Sequence, residues 1–282
     1  MLQSENRERR IPVNLRERYG EWGVVLGAAE GIGKAICEKL AEGGMNVIMV
    51  DRRDDLLPEL GQDLSTMYGV ETKSVKADFS EPDAADSIFA ASEGLDLGFM
   101  SYVASMNAFG DFAEIPWEKH VRALQVNVGT FLACFYHYMK IFTAQNRGGV
   151  INIASVNAIS GSPWNGQYAA GKAYILKLTE SVAGETEKTN VDVLAVTLGT
   201  TLTPNLLRNL PDGPMKEVGI KRGMTSEAVA EEAFSALGRR LSVIAGEMNR
   251  EEIHEWQSNH TADEFIRFRG RMAGDPAVRM KG

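Results

Sequence analysis

Residues 22–51 constrain the fold more than any other stretch. Trp22-Gly-Val-Val-Leu26 is a short apolar run, and Gly27-Ala-Ala-Glu-Gly31-Ile-Gly33 follows it at once. A helix pattern runs from Ile32 to Leu40 and is closed by Gly43-Gly44; a second apolar run, Val47-Ile-Met-Val50, ends in Asp51-Arg52-Arg53. Strand, glycine turn, helix, strand is a βαβ unit with a right-handed crossover. Near-continuous apolar strands of this kind belong to a parallel sheet covered by helices on both faces. The rest of the chain should therefore alternate strands with helices.

It does. Glu71–Ala77, Gly98–Ala104, Val150–Ala154, Val191–Thr197 and Leu241–Ala245 read as five further strands. Trp117 to Arg147 reads as one long amphipathic helix carrying Asn127, a helix surrounds Tyr168, and Thr225–Leu237 is another. The expected class is α/β: a Rossmann-type doubly wound parallel seven-stranded sheet with helices on both faces, plus a C-terminal helical arm. At 282 residues the chain is long for one domain and short for two. The expected division is a polar N-terminal extension over 1–14, a Rossmann-type α/β domain over 15–248, and the arm over 249–282. Asn249 with Glu252, and Thr261 with Glu264, have the spacing of helix N-caps, so the arm is expected to hold two short helices; beyond Arg267 it turns basic and glycine-rich and is expected to fray at the end.

Composition excludes several function classes. A formal charge of −8 argues against nucleic acid as a partner. No run of eighteen or more uncharged apolar residues exists to cross a membrane, and the charged first ten residues do not resemble a secretory signal. Cys37 and Cys134 lie in apolar helical patterns and are expected to be buried thiols of a reduced compartment. The four histidines have no metal-ligand spacing, so no metal is expected. The chain reads as soluble and cytoplasmic.

In a parallel sheet, ligands bind at the carboxyl ends of the strands, where Gly27, Asp51, Asp78, Ser155 and Gly199 all fall. The glycines let backbone amides approach a pyrophosphate, and the following helix N-terminus adds partial positive charge. With an acid ending strand two, this is the pattern of a dinucleotide site. The second constellation is Ser155, Tyr168 and Lys172. Four residues apart on a helix, Tyr168 and Lys172 stand on one face. A cation there stabilises a phenolate and brings a tyrosine toward acid/base work at neutral pH. Ser155, at the end of a strand, can converge on the same point.

Gly27-x3-Gly31-x-Gly33, Asn127, Ser155, Tyr168 and Lys172, in that order, resemble the short-chain dehydrogenase/reductase family from about Gly20 to Gly246. The resemblance implies hydride transfer with NAD or NADP. Tyr168 would be the acid/base, Ser155 its hydrogen-bonding partner on the substrate oxygen, Lys172 the holder of the nicotinamide ribose, and Asn127 the anchor of a proton-relay water. The coenzyme would further be lined by Glu30 and Ile32 in the first turn, Arg52 and Arg53 beside Asp51, Asp78 with Phe79, Ala104, and Thr201 and Thr203 after strand six. Leu26 stands where the family usually has Thr, and Tyr102-Val-Ala-Ser105 where it usually has Asn-Asn-Ala-Gly.

Both departures, together with Pro116-Trp-Glu-Lys-His120, Ser162-Pro-Trp-Asn-Gly-Gln-Tyr168 and Thr197-Leu-Gly-Thr-Thr-Leu-Thr-Pro204, are similar to the bile-acid hydroxysteroid branch of the family. That implies action at the 7-position hydroxyl or ketone of a bile acid. The alternatives are another position of a steroid or another apolar secondary alcohol, and an idle coenzyme-binding regulator. Trp164, Asn165, Leu206 and Leu210 are the expected substrate contacts beside Ser155 and Tyr168; Trp164 is either a packed aromatic or a wall for an apolar ring system. The branch carries Gly where this chain has Asp51. A carboxylate there favours NAD by accepting from ribose hydroxyls, while Arg52 and Arg53 suit the phosphate of NADP, the alternative. The arm, with Ile253, Trp256, Phe265, Ile266 and Phe268, is expected to be at least partly buried, either crossing to a partner in a homodimer or higher oligomer or lidding the pocket.

Overall fold

A computed structural model of the chain describes residues 14–209 and 220–274. Seven parallel strands form one sheet in the order β3-β2-β1-β4-β5-β6-β7: β1 Trp22–Leu26, β2 Asn46–Asp51, β3 Thr72–Lys76, β4 Leu97–Tyr102, β5 Gly148–Ser155, β6 Val191–Leu198 and β7 Ser242–Ile244. The order reverses direction between β1 and β4, and a crevice opens there at the carboxyl ends. The central strands β1, β4, β5 and β6 are buried along their whole length, as apolar runs covered on both faces require. Alternation sorts their side chains into two cores. Val25 packs with Ile36, Leu40 and Phe234 on one face; Val24 and Leu26 pack with Ile88, Phe131 and Phe135 on the other. The edge strand β3 instead carries exposed lysines, which discourage pairing with another sheet.

The helices are α1 Leu15–Tyr19, α2 Gly31–Glu42, α3 Leu57–Tyr68, α4 Ala84–Ser92, α5 Trp117–Leu124, α6 Phe131–Gln145, α7 Gly166–Thr186, α8 Pro204–Asn209, α9 Ser226–Ala236, α10 Glu247–Asn259 and α11 Ala262–Gly274. Two differences from the sequence reading bear on the site. The long helix expected over Trp117–Arg147 is interrupted by a π-helical turn at Gln125–Thr130. The turn is held by Gln125 Nε2 donating to Thr130 Oγ1 at 3.1 Å, and Thr130 Oγ1 donating to the Phe79 carbonyl at 2.8 Å. The widened turn buries Asn127 completely.

In the arm, Asn249 is not an N-cap. It lies inside α10, which Gly246 precedes; its amide donates to the Ala245 carbonyl at 2.6 Å and lies against Gly199. Thr261 does form a capping box: Thr261 Oγ1 accepts from Glu264 N at 3.3 Å, and Glu264 Oε2 accepts from Thr261 N at 2.8 Å. Helix α11 runs through the basic, glycine-rich stretch to Gly274; the chain end, where fraying is expected, lies outside the described residues. The arm folds back on its own chain. Ile253 and Phe265 are buried, Trp256 stacks on Phe265 at 4.8 Å, and Gly270 packs against Pro163 and Trp164. Cys37 and Cys134 are buried free thiols.

Candidate active site

The end of β5 and the start of α7 bring the candidate catalytic groups together. Ser155 is the last residue of β5 and almost fully buried; Tyr168 is in the first turn of α7, near enough for the Ser155 hydroxyl to favour its ionised form. Lys172, one turn on, is 2% exposed; its Nζ donates to the Ile153 carbonyl at 2.7 Å and lies 5.9 Å from the centre of the Tyr168 ring. Asn127 reaches the same region from the π-helical turn. Its Oδ1 accepts from Met106 N at 3.0 Å and its Nδ2 donates to Met106 O at 2.7 Å, so the side chain is spent on the loop after β4. Gly171, between Tyr168 and Lys172, makes this approach possible: a Cβ there would fall 2.6 Å from Asn127 Cβ.

The electrostatics differ from the simple expectation that Lys172 lowers the Tyr168 pKa. Burial pushes Tyr168 above its ordinary value, and only the hydrogen bond from Ser155 pulls it back. Burial likewise lowers Lys172 to about 7. In a dry crevice each group resists its charged form.

The expected dinucleotide cradle lies at the carboxyl ends of β1 and β2. Gly31 opens α2 with φ +59°, and a Cβ there would lie 2.9 Å from Thr203 Cγ2. At Gly33 it would lie 1.8 Å from the Gly27 carbonyl oxygen, so only glycine permits this tight strand–helix packing. Gly27 backs onto Ala104. Glu30, at the N-cap, makes no side-chain capping bond; its carboxylate takes both bonds of Arg208 Nη2, at 2.6 and 2.9 Å. The first-turn amides of α2 therefore face the crevice without a side-chain acceptor, and a phosphate anion fits that position. Ile32 is buried beneath the turn. Asp51 accepts from Ala29 N through Oδ2 and Arg53 N through Oδ1, each at 3.0 Å. The Arg53 guanidinium is committed to Asp55 by bonds of 2.9 and 3.0 Å, while Arg52 is exposed. Asp78 accepts from Ser80 N and Oγ and faces Arg122 Nη2 at 3.7 Å. Phe79 is buried beside it. Gly199, Thr201 and Thr203 follow β6 on the opposite wall, with Thr203 Oγ1 capping Leu206 N at 3.1 Å.

The expected substrate contacts are dispersed. Trp164 is held at φ +60°, a left-handed conformation that costs a bulky residue about 1–3 kcal/mol and marks functional turns. Its indole donates to Asp111 Oδ1 at 2.8 Å, and with Phe112, Ile115 and His120 it walls a cavity that the Ser155 and Tyr168 side chains do not line. Asn165 is buried, with its Oδ1 lacking a hydrogen-bond partner. Leu206 is half-buried in α8; Leu210 lies outside the described residues. The sequence reading did not single out Asn157 or Arg269. Asn157 N donates to Ser155 Oγ at 3.2 Å, and Arg269 bonds both the Asn157 side chain and the Val156 carbonyl. No local signal marks a pair 112 positions apart.

Comparison with known proteins agrees with this arrangement. A family model described as short chain dehydrogenase matches residues 21–212. The chain is 61% identical over 258 residues to the 7β-hydroxysteroid dehydrogenase of Mediterraneibacter gnavus, covering 92% of this chain and 98% of that one. It is 59% identical over 263 residues to the enzyme of the same name from Collinsella aerofaciens, covering 93% and 100%. A solved structure from work on 7β-hydroxysteroid dehydrogenase stereoselectivity superposes with a TM-score of 0.89 at 60% identity, over 91% of this chain and 99% of that one. At 21% identity and a TM-score of 0.69, over 90% and 94% of the two chains, a Sphingobium yanoikuyae short-chain dehydrogenase in complex with NADPH shares the fold. The chain belongs to the short-chain dehydrogenase family.

Proposed function

We propose that the protein is a 7β-hydroxysteroid dehydrogenase, moving a hydride between a nicotinamide dinucleotide and the 7-position of a bile acid. What carries the reading is the convergence of Ser155, Tyr168, Lys172 and Asn127 in a chain 61% identical, nearly end to end, to an enzyme of that name. The coenzyme, when bound, supplies or accepts the hydride. The first-turn amides of α2 hold its phosphates, Thr201 and Thr203 face it from the β6 side, and Lys172 holds the nicotinamide ribose. Ser155 orients the substrate oxygen, and Tyr168 gives that oxygen a proton in reduction or takes one in oxidation. Burial, which raises Tyr168, keeps it protonated and ready to donate at neutral pH. The Asn127 side chain is engaged by Met106, so its part is to fix the turn beside which a relay water sits.

NAD is the preferred coenzyme on this reading. Asp51 is held in place by two backbone amides, and the Arg53 guanidinium is occupied by Asp55, which leaves Arg52 to attract a 2′-phosphate. Asp51→Gly should shift kcat/KM toward NADPH by about 10-fold or more, equivalent to ~1.4 kcal/mol. Assaying NADH and NADPH with 3-, 7- and 12-keto bile acids tests both halves: reduction confined to 3- or 12-keto substrates overturns the specificity, and a wild-type preference for NADPH overturns the coenzyme.

The protein is further read as a cytoplasmic homodimer or higher homo-oligomer. Among the described residues no helix is long and apolar enough to cross a membrane. Self-association is supported by exposed Trp117, Val121 and Leu124 on α5, continued by Leu132 and Tyr136 on α6.

A further inference from the structure

We infer that Arg269, in the last helix of the chain, is a positioning residue for Ser155; this rests on the role given to Ser155 above. Ser155 Oγ accepts the Asn157 amide at 3.2 Å, so the direction of the serine hydroxyl depends on where the Val156–Asn157 turn sits. Arg269 holds that turn at two points. Its Nη1 donates to Asn157 Oδ1 and its Nη2 to the Val156 carbonyl at 3.2 Å. A planar guanidinium can span two neighbouring acceptors with fixed geometry, which a lysine ammonium cannot.

The rest of α11 holds Arg269 in register. Ile266 packs over Gly161, 3.6 Å from where a side chain there would begin, and Gly270 packs against Pro163 and Trp164. Phe265, itself buried, lies under the guanidinium, 4.7 Å from its carbon to the ring centre. The helix thus runs along the 156–164 segment that joins Ser155 to Tyr168.

The cost of this arrangement argues against a purely stabilising tail. Arg269 is largely buried, and burial lowers its pKa; Glu252, whose field opposes that, is paired with Arg222 at 3.4 Å. Among the described residues no carboxylate lies within ion-pair distance of Arg269, and its Nε has no partner. A buried cation without a counter-ion stabilises less than an apolar side chain of similar size. What such a chain would lose is the two-point hold on the turn.

The test is a double-mutant cycle on the full-length protein. Arg269→Met and Asn157→Ala should each lower kcat by about 10-fold or more, with KM and the coenzyme dissociation constant within about 2-fold of wild type. The double variant should be no slower than Arg269→Met alone, because that substitution already removes the bond that Asn157→Ala removes. Asn157→Asp, which keeps an acceptor for Arg269, should stay near wild type and serves if Arg269→Met does not fold. Multiplicative losses in the double variant, or equal losses in Asn157→Asp and Asn157→Ala, overturn the inference. Ser155→Ala run alongside separates it from the functional reading. If Ser155→Ala retains turnover, the role of Ser155 fails and the hold is decided by amide exchange at Asn157: faster in Arg269→Met if it exists, unchanged if it does not.

Discussion

Two side chains in the crevice can be tested separately, because burial acts on them with opposite results. Tyr168 loses its hydroxyl in Tyr168→Phe while its ring still packs, so the coenzyme dissociation constant should hold and kcat should fall by about 10²–10⁴. Turnover near wild type would remove Tyr168 from the chemistry. Lys172 offers a thermodynamic test without substrate. Its pKa is lowered by burial to about 7, whereas an unfolded lysine titrates near ~10.4. Between those values the unfolded chain binds more protons than the native one, so this group makes stability rise with pH through that window and contributes no slope below it. At about 1.4 kcal/mol per pH unit, urea midpoints from about pH 7.5 to about pH 9.5 should show ~2–3 kcal/mol of gain that Lys172→Met lacks. Parallel pH dependences for the two proteins would place Lys172 in a wetter site than the crevice.

At the scale of elements, the site depends on how closely α7 approaches the π-helical turn. Gly171→Ala would put a methyl 2.6 Å from Asn127 Cβ, with Asn127 locked to Met106 on its other side. Overpacking of this kind costs about 1–3 kcal/mol. The same wedge tilts Tyr168 and Lys172 away from Ser155, so thermal stability and kcat should fall together; a variant that loses neither would show that the two elements part without consequence. The sequence made some of this legible. Gly27, Gly31, Gly33 and Asp51 sit in one local strand–turn–helix–strand pattern, and Tyr168 and Lys172 are one helical turn apart. The π-helical turn was hidden because the residues around it keep a helical apolar period, with Phe131, Cys134, Phe135 and Tyr138 all buried. The left-handed Trp164 was hidden too: no local preference favours that conformation in a bulky aromatic, and its bonds to Asp111 and Gly110 come from a distant loop.

For the molecule as a whole, the arm and the exposed apolar row are different places. Apolar residues in the arm suggested from sequence that it is buried, and it is, but against its own chain: Ile253 and Phe265 are covered and Trp256 is stacked between His260, Phe265 and Phe268. The exposed apolar row lies instead on α5 and α6, at Trp117, Val121, Leu124, Leu132 and Tyr136. Removing residues 262–282 should therefore leave the assembly state unchanged by light scattering. It uncovers the face of Trp256 and removes the buried Phe265 ring, a loss of roughly 2–3 kcal/mol in fold stability. It also removes the hold on Val156 and Asn157, so kcat should fall at least as far as in Arg269→Met while coenzyme affinity, proposed to be set at the other wall of the crevice by α2 and Asp51, should be retained. A truncated protein that becomes monomeric would place the arm in the subunit interface and make its packing on the Ser155 turn secondary.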